Sequence, residues 1–288
     1  MILIIDINNH PIYIQEGLDG EKELKMRKSQ YCTDKQGVKP AKVMIKEMDY
    51  NKVDLAVLLP EAISNSSHDM IITNEQIKKI VACYPQRFVG FASVDPRDSD
   101  ASEQLEYCFT KLGLAGLHVH TSKLKIYPND PLLKKLYRIC LKYNKPVIFH
   151  SGLTWQKDAP MKYSKPLNFE DVALEFPDLR IDLSHFGWPW THDVIALLLK
   201  YPNVYTDISI LQMDNAEDFY HQVFQVNMGP LWIERNLRNK VMFGTNAPRQ
   251  RATLLLPAFY DLGFRKLTND KILYKNALRF LGKEDQYD

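Results

Sequence analysis

Short apolar runs alternate with longer amphipathic stretches along the whole chain, and that alternation predicts a parallel sheet wound with helices. The runs at 2–7, 54–59, 88–94, 116–120, 146–150, 179–184, 204–208 and 240–244 are apolar enough to be buried on both sides. Between them, residues 42–51, 74–84, 102–112, 131–143, 169–176 and 192–201 repeat apolar positions at helical spacing, and 271–281 closes the chain the same way. Thr73, Asp130, Asn168 and Thr191 stand where N-caps are expected. Tyr84-Pro85, Phe176-Pro177 and Tyr201-Pro202 should end helices ahead of the next strand. Eight such units in 288 residues predict one α/β domain over 1–288, a TIM-type (β/α)8 barrel, since that fold takes about 250 residues.

Two connections are long. Segment 11–39, after the first strand, is expected to be a loop or lid over the barrel mouth. Segment 210–239, with Trp232 and a helical stretch around 214–225, is expected to form the opposite wall. Glu21, Lys22, Glu23, Lys25, Arg27 and Lys28 mix both signs and read as solvated surface.

Composition narrows the partners more than the chemistry. Hydrophobic residues make up 45% and charged residues 25%, an ordinary globular balance. A formal net charge of +2 and scattered basic residues give no electrostatic footprint for nucleic acid. Cys32, Cys83, Cys108 and Cys140 form no CxxC pair, so reduced thiols and a cytoplasmic setting are expected. The opening MILIIDINNH reads as a first strand rather than a leader or a membrane span.

In a barrel, chemistry sits just past the C-terminal ends of the strands. The residues there are Asn8, His10, Pro60, Glu61, Asp95, His118, His120, His150, His185, Asp207 and Asn246, a set that holds five of the eight histidines. Neutral imidazole is the commonest protein metal ligand, and residues two apart on a strand share a face. His118 and His120, like Asn8 and His10, are therefore pairs able to act on one ligand. His68, His192 and His221 fall in presumed loops or helix starts and read as structural or exposed.

The blocks PVIFHSG (146–152), VALEFPDLRIDLSHFGWPW (172–190), IALLLKYPNVYTDIS (195–209), KVMFGTNAP (240–248) and KILYKNALRFLG (271–282) carry a resemblance. In their order and spacing the chain resembles the amidohydrolase-related branch of the amidohydrolase superfamily, which includes aminocarboxymuconate semialdehyde and resorcylate-type decarboxylases. That family ends its first strand in Asp-x-His-x-His, its fifth and sixth in His, and its eighth in Phe-Gly-(Ser/Thr)-Asp. Those positions fall on Asp6, Asn8, His10, His150, His185 and Asn246. The resemblance thus implies a divalent metal, Zn2+ first, at His10, His150, Asn8 and Asn246, with His185, His150 and Asn246 in catalysis. It implies substrate contacts from Arg249, Trp188, His118 and His120, and a homodimer.

Asn8 and Asn246 depart from the pattern. An amide offers only a neutral carbonyl oxygen to a cation and cannot take a proton from an attacking water. Metal affinity is accordingly expected to be weak or lost. The expected function is hydrolysis or decarboxylation of a small carboxylated or cyclic organic acid at a weakened metal site. Two alternatives stand beside it: a metal-independent, lactonase-like hydrolase, and a non-catalytic barrel that binds a small ligand.

Overall fold

The computed structural model describes residues 3–31, 33, 36–63, 69–209 and 215–284. Eight short parallel strands form its centre: β1 (Ile5–Asn9), β2 (Leu55–Leu58), β3 (Phe88–Gly90), β4 (Leu117–Val119), β5 (Val147–Phe149), β6 (Ile181–Leu183), β7 (Val204–Asp207) and β8 (Val241–Met242). β1 pairs β2 and β2 pairs β3, while β4 to β8 pair in sequence order. Two seams join these sheets. Ala92 bridges to Leu117, and Ile7 N–H donates to Phe243 O at 3.0 Å beside the bridge from Asn9 to Ala247. The result is a closed (β/α)8 barrel without a free edge among its strands.

The expected elements form, with shifted ends. The first strand runs from Ile5 to Asn9, and Ile2 lies outside the described residues. Thr73 caps helix Asn74–Cys83 in a reciprocal capping box with Gln76, and Asp130 caps Pro131–Lys142. Asn168 and Thr191 are not caps. Asn168 lies inside the turn Pro166–Phe169, and Thr191 is the first residue of its own helix behind Trp190.

Segment 11–39 is more than a loop, because it contains helix Glu21–Tyr31. The charged run in that helix is not wholly solvated either: Arg27 is fully buried. Its guanidinium donates to Ile71 O, Ile12 O, Gly17 O, Glu23 and Gln76 at 2.6–3.1 Å, which bolts the helix to the barrel. In the second long segment, helix Ala216–Tyr220 continues as π-helical turns over His221–Asn227, while 210–214 lie outside the described residues. Trp232 is exposed and lines no site there. No described helix is long and apolar enough to cross a membrane.

The two ends of the barrel differ chemically. Ile5, Ile7, Val57, Phe91, Ile148, Tyr205 and Met242 fill the lower interior and meet Leu278, Phe280 and Leu281 of the last helix, Asn276–Leu281. Polar side chains take over at the top. A β-bulge helps: between Asp6 and Asn9 the partner strand advances only from Ala56 to Leu58, so β1 carries one extra residue. Asp6 consequently turns to Thr245, while Asn8 and His10 line the mouth.

Phe280 is fully buried with its ring 5.5 Å from Tyr205, so it plugs the barrel floor. Phe280→Ala should cost about 3–5 kcal/mol in chemical denaturation. A loss below about 1 kcal/mol would mean that the helix does not close the barrel.

Candidate active site

A cleft opens at the C-terminal ends of the strands, and the histidines gathered there set its chemistry. His10, His118, His120, His150 and His185 all line it, with Asn8, Ser184, Asn246 and Arg249. Those expected residues are brought together. Trp188 is not among them: its ring packs edge-on against Phe219 at 5.8 Å. Gly152 explains the difference. It sits at φ +95° with the Trp188 carbonyl so close that a Cβ would meet it at 2.2 Å, so the two loops abut through their backbones. Leu153 and Trp155 of the loop after Gly152 supply the apolar wall instead.

Two carboxylates organise the cleft. Asp207, at the end of β7, accepts from His185 N–H at 3.1 Å, Ser209 N–H at 2.9 Å, the Ser209 hydroxyl, and Asn8 Nδ2 at 3.2 Å. The grip on His185 N–H holds that residue at φ 63°, a conformation that costs a non-glycine residue on the order of 1–3 kcal/mol. On the other side, Glu61 accepts from the Tyr31 hydroxyl at 2.5 Å and forms an ion pair with the buried Lys123 ammonium. Lys123 lies in the short helix Thr121–Leu124 just past β4.

Hydrogen-bond bookkeeping then assigns the histidine tautomers. Ser209 has one hydroxyl proton and gives it to Asp207, so it can only accept from His185 Nδ1 at 2.7 Å. His185 therefore carries its hydrogen on Nδ1 and a lone pair on Nε2. Tyr31 likewise donates to Glu61 and accepts from His10 Nδ1 at 2.8 Å, and Pro60 O accepts from His118 Nδ1 at 2.6 Å. Nε2 is the lone-pair nitrogen on all three rings. His120 is reversed, since its Nδ1 accepts from Lys123 N–H at 3.3 Å. His150 gives its Nε2 hydrogen to Leu153 O at 3.1 Å and stacks on His120 at 3.9 Å.

Burial keeps these rings neutral. It lowers His185 to about 4 against the opposing pull of Asp207, and it drives His10, His120 and His150 well below the usual histidine range. His118 is lowered too. Burial would raise Glu61, but Lys123 above all overrides it and holds the carboxyl at about 2. Burial raises Asp6 to about 6 despite hydrogen bonds from Thr245, and raises Asp182 well above the carboxylate range with help from Asp207.

The metal set implied by the sequence does not fit this geometry. His10 and His150 are imidazoles, but Asn8 and Asn246 are amides, and Asn8 Nδ2 donates to both Asp207 and Ser184. As the side chains are placed, no group of three or more His, Cys, Asp or Glu side chains among the described residues is arranged to hold a metal ion. Zinc sites call for such nitrogen, sulfur or charged oxygen donors. Sequence reasoning left Glu61 without a partner and missed Lys123, Tyr31, Ser209 and Trp155. The position of Ser209 two residues past Asp207 was the only signal of its kind, the strand spacing that puts both on one side.

Neutral buried histidines make stability depend on pH with a definite sign. Unfolded histidine binds its proton near pH 6.5 and these folded ones do so lower, so their contribution is whole above pH 6.5 and is lost as pH falls. Asp6 and Asp182 are raised and oppose this, because the folded state holds their protons better. Five lowered groups against two raised ones leave a net uptake of protons on unfolding as pH falls below 6.5. The urea midpoint should drop sharply between about pH 7.5 and pH 5.5. An unchanged midpoint would show that the histidines are not held neutral.

With the geometry in place, the relatives can be compared. A family model described as Amidohydrolase matches residues 67–283. Over 244 residues the chain is 22% identical to the 2-amino-3-carboxymuconate-6-semialdehyde decarboxylase of Dictyostelium discoideum, a match covering 73% of this chain and 65% of that protein. The matched stretch thus spans just under two thirds of the relative's length. An uncharacterized TIM-barrel protein of Bordetella bronchiseptica superposes with a TM-score of 0.74 at 21% identity, over 98% of this chain and 99% of that one. A 5-carboxyvanillate decarboxylase of Novosphingobium aromaticivorans, solved with manganese and 4-hydroxy-3-methoxy-5-nitrobenzoic acid, does so at 0.67 and 17% identity, over 97% and 96%. At these identities the two structures speak for the barrel fold. The family model covers well over half of the chain, and the chain belongs to this amidohydrolase family.

Proposed function

We propose that this barrel is an enzyme acting on a small carboxylated cyclic acid, by hydrolysis or decarboxylation, with His185 as the group that moves the proton. The relay Asp207–Ser209–His185 carries this reading, because it presents an unprotonated Nε2 edge in a cleft that also holds a guanidinium. A ring that enters the reaction as a proton acceptor suits removal of a proton from an attacking water, which favours hydrolysis over decarboxylation. Asp207, acting through Ser209, stabilises the imidazolium that forms. His150, 5.1 Å ring to ring from His185, keeps its own lone pair on Nδ1 as a second acceptor.

The other cleft residues would bind. Arg249, just past Asn246 and with its guanidinium 6.0 Å from the Tyr31 ring, is suited to hold a carboxylate. Trp155 and Leu153 would cover one face of a flat ring, and Asn246 would hydrogen-bond a polar substituent. The relatives supply the substrate class, since two bear the names of decarboxylases of carboxylated acids. A Zn2+ ion is not placed in this scheme, because the donor set does not fit one.

Screening should start with small carboxylated rings and lactones. His185→Ala should lower kcat at least about a hundredfold with little change in KM, and Ser209→Ala about tenfold. With His185 lowered to about 4, kcat/KM should stay flat from about pH 8 to pH 5.5, where an ordinary histidine would already cut it. Unchanged turnover in His185→Ala, once a substrate is found, would remove this reading.

A further inference from the structure

Glu61 is the only carboxylate among the described residues lining the cleft, and its counter-ion is already built in. The Lys123 ammonium forms an ion pair with Glu61, lies 4.9 Å from the Tyr31 ring centroid, and is buried. Around the pair stand His10, whose Nδ1 meets Tyr31, and His120, whose Nε2 is 4.0 Å from Glu61. His118 completes the group, its ring 5.7 Å from that of His10. Beside this anionic oxygen His10 and His118 keep their lone pairs on Nε2, nitrogen and oxygen donors of the types that divalent ions seek, while His120 keeps its own on Nδ1. Here the oxygen is committed to an ammonium.

We infer that Lys123 is the resident cation of this cleft, standing where a divalent metal would otherwise be held and making the site metal-independent. A divalent ion bound to Glu61 would lie within a few ångströms of a buried like charge, the Lys123 ammonium. Expelling the lysine would mean moving a buried side chain out of its ion pair. The replacement of the family's histidine and aspartate by Asn8 and Asn246 in this chain and the presence of an internal cation are then two parts of one change. The inference concerns what the cleft binds, so it stands or falls separately from the hydrolysis reading, and its test reads metal content in place of turnover.

The experiment compares the full-length parent, Lys123→Met, and Lys123→Met/Glu61→Gln, each incubated with Zn2+ or Mn2+, desalted and analysed for metal per chain. The parent should retain well under one equivalent. Lys123→Met frees the carboxylate beside His10, His118 and His120, so it should retain about one equivalent, with affinity at least a hundredfold above the parent's. Added metal should also raise its melting temperature. The double variant replaces the ion pair with neutral groups of similar size and should fold without retaining metal. The inference is overturned by a parent that holds a tight equivalent, or by a folded Lys123→Met that binds no better than the parent. A Lys123→Met that stays unfolded with and without metal also counts against it, since the freed donors should draw stability from the ion.

Discussion

Charge buried at the mouth of a barrel must be neutralised on the spot, and that constraint decides the layout of this cleft. Two carboxylates divide the work. Glu61 gathers the near side, holding Lys123 by its charge and, through Tyr31, the orientation of His10. Asp207 gathers the far side, fixing the backbone of His185, its ring through Ser209, and the amide of Asn8. Each carboxylate is held by groups from separate strands and loops, so removing either would release several groups at once. The strained turn at His185 and the buried lysine are tolerable only because these partners over-determine them.

The same two anchors tie the cleft to the fold. Tyr31 comes from a helix that Arg27 bolts onto the first strand's exit loop and onto the Met70–Ile72 strand. Asp207 ends β7, and Asn8 reaches it because the bulge in β1 turns the chain by one position. The apolar floor around Phe280 is therefore not a separate matter from the chemistry above it. A barrel that opened at its base would lose the registers by which strands from opposite sides bring donors to one carboxylate.

How much of this could be read in the sequence follows from which interactions are local. Strand and helix periods are local, so eight strands and most helices were legible, as was the gathering of the cleft histidines at strand ends, although His118 lies within β4 and not past it. Caps were legible where a side chain closes on its own turn, as at Thr73, and not at Asn168 or Thr191, where a preceding turn or aromatic residue takes the place. Pairings across the barrel were not legible. Glu61 and Lys123 lie on different βα loops, and nothing in either loop names the other. Arg27 looked solvated because its neighbours are charged, although its five partners are mostly backbone carbonyls that a sequence does not display. Trp188 looked like a pocket wall, yet the close approach of Gly152 turns its strand of loop away.

The two asparagines then take on a meaning that the motif comparison alone could not give them. Losing a histidine and an aspartate from a metal site, with nothing else changed, would leave buried imidazoles facing an anionic oxygen without a cation. The cleft is not in that condition. Its one lining carboxylate is paired and its histidine tautomers are fixed by named partners. Asn8 itself is woven into the Asp207 network as a donor, a role that a carboxylate in its place could not fill. A site that had merely decayed would have no reason to keep a strained histidine or a buried ion pair, since apolar replacements of similar volume would be neutral or stabilising. The physical cost of the arrangement argues that it is maintained for what it does in the cleft.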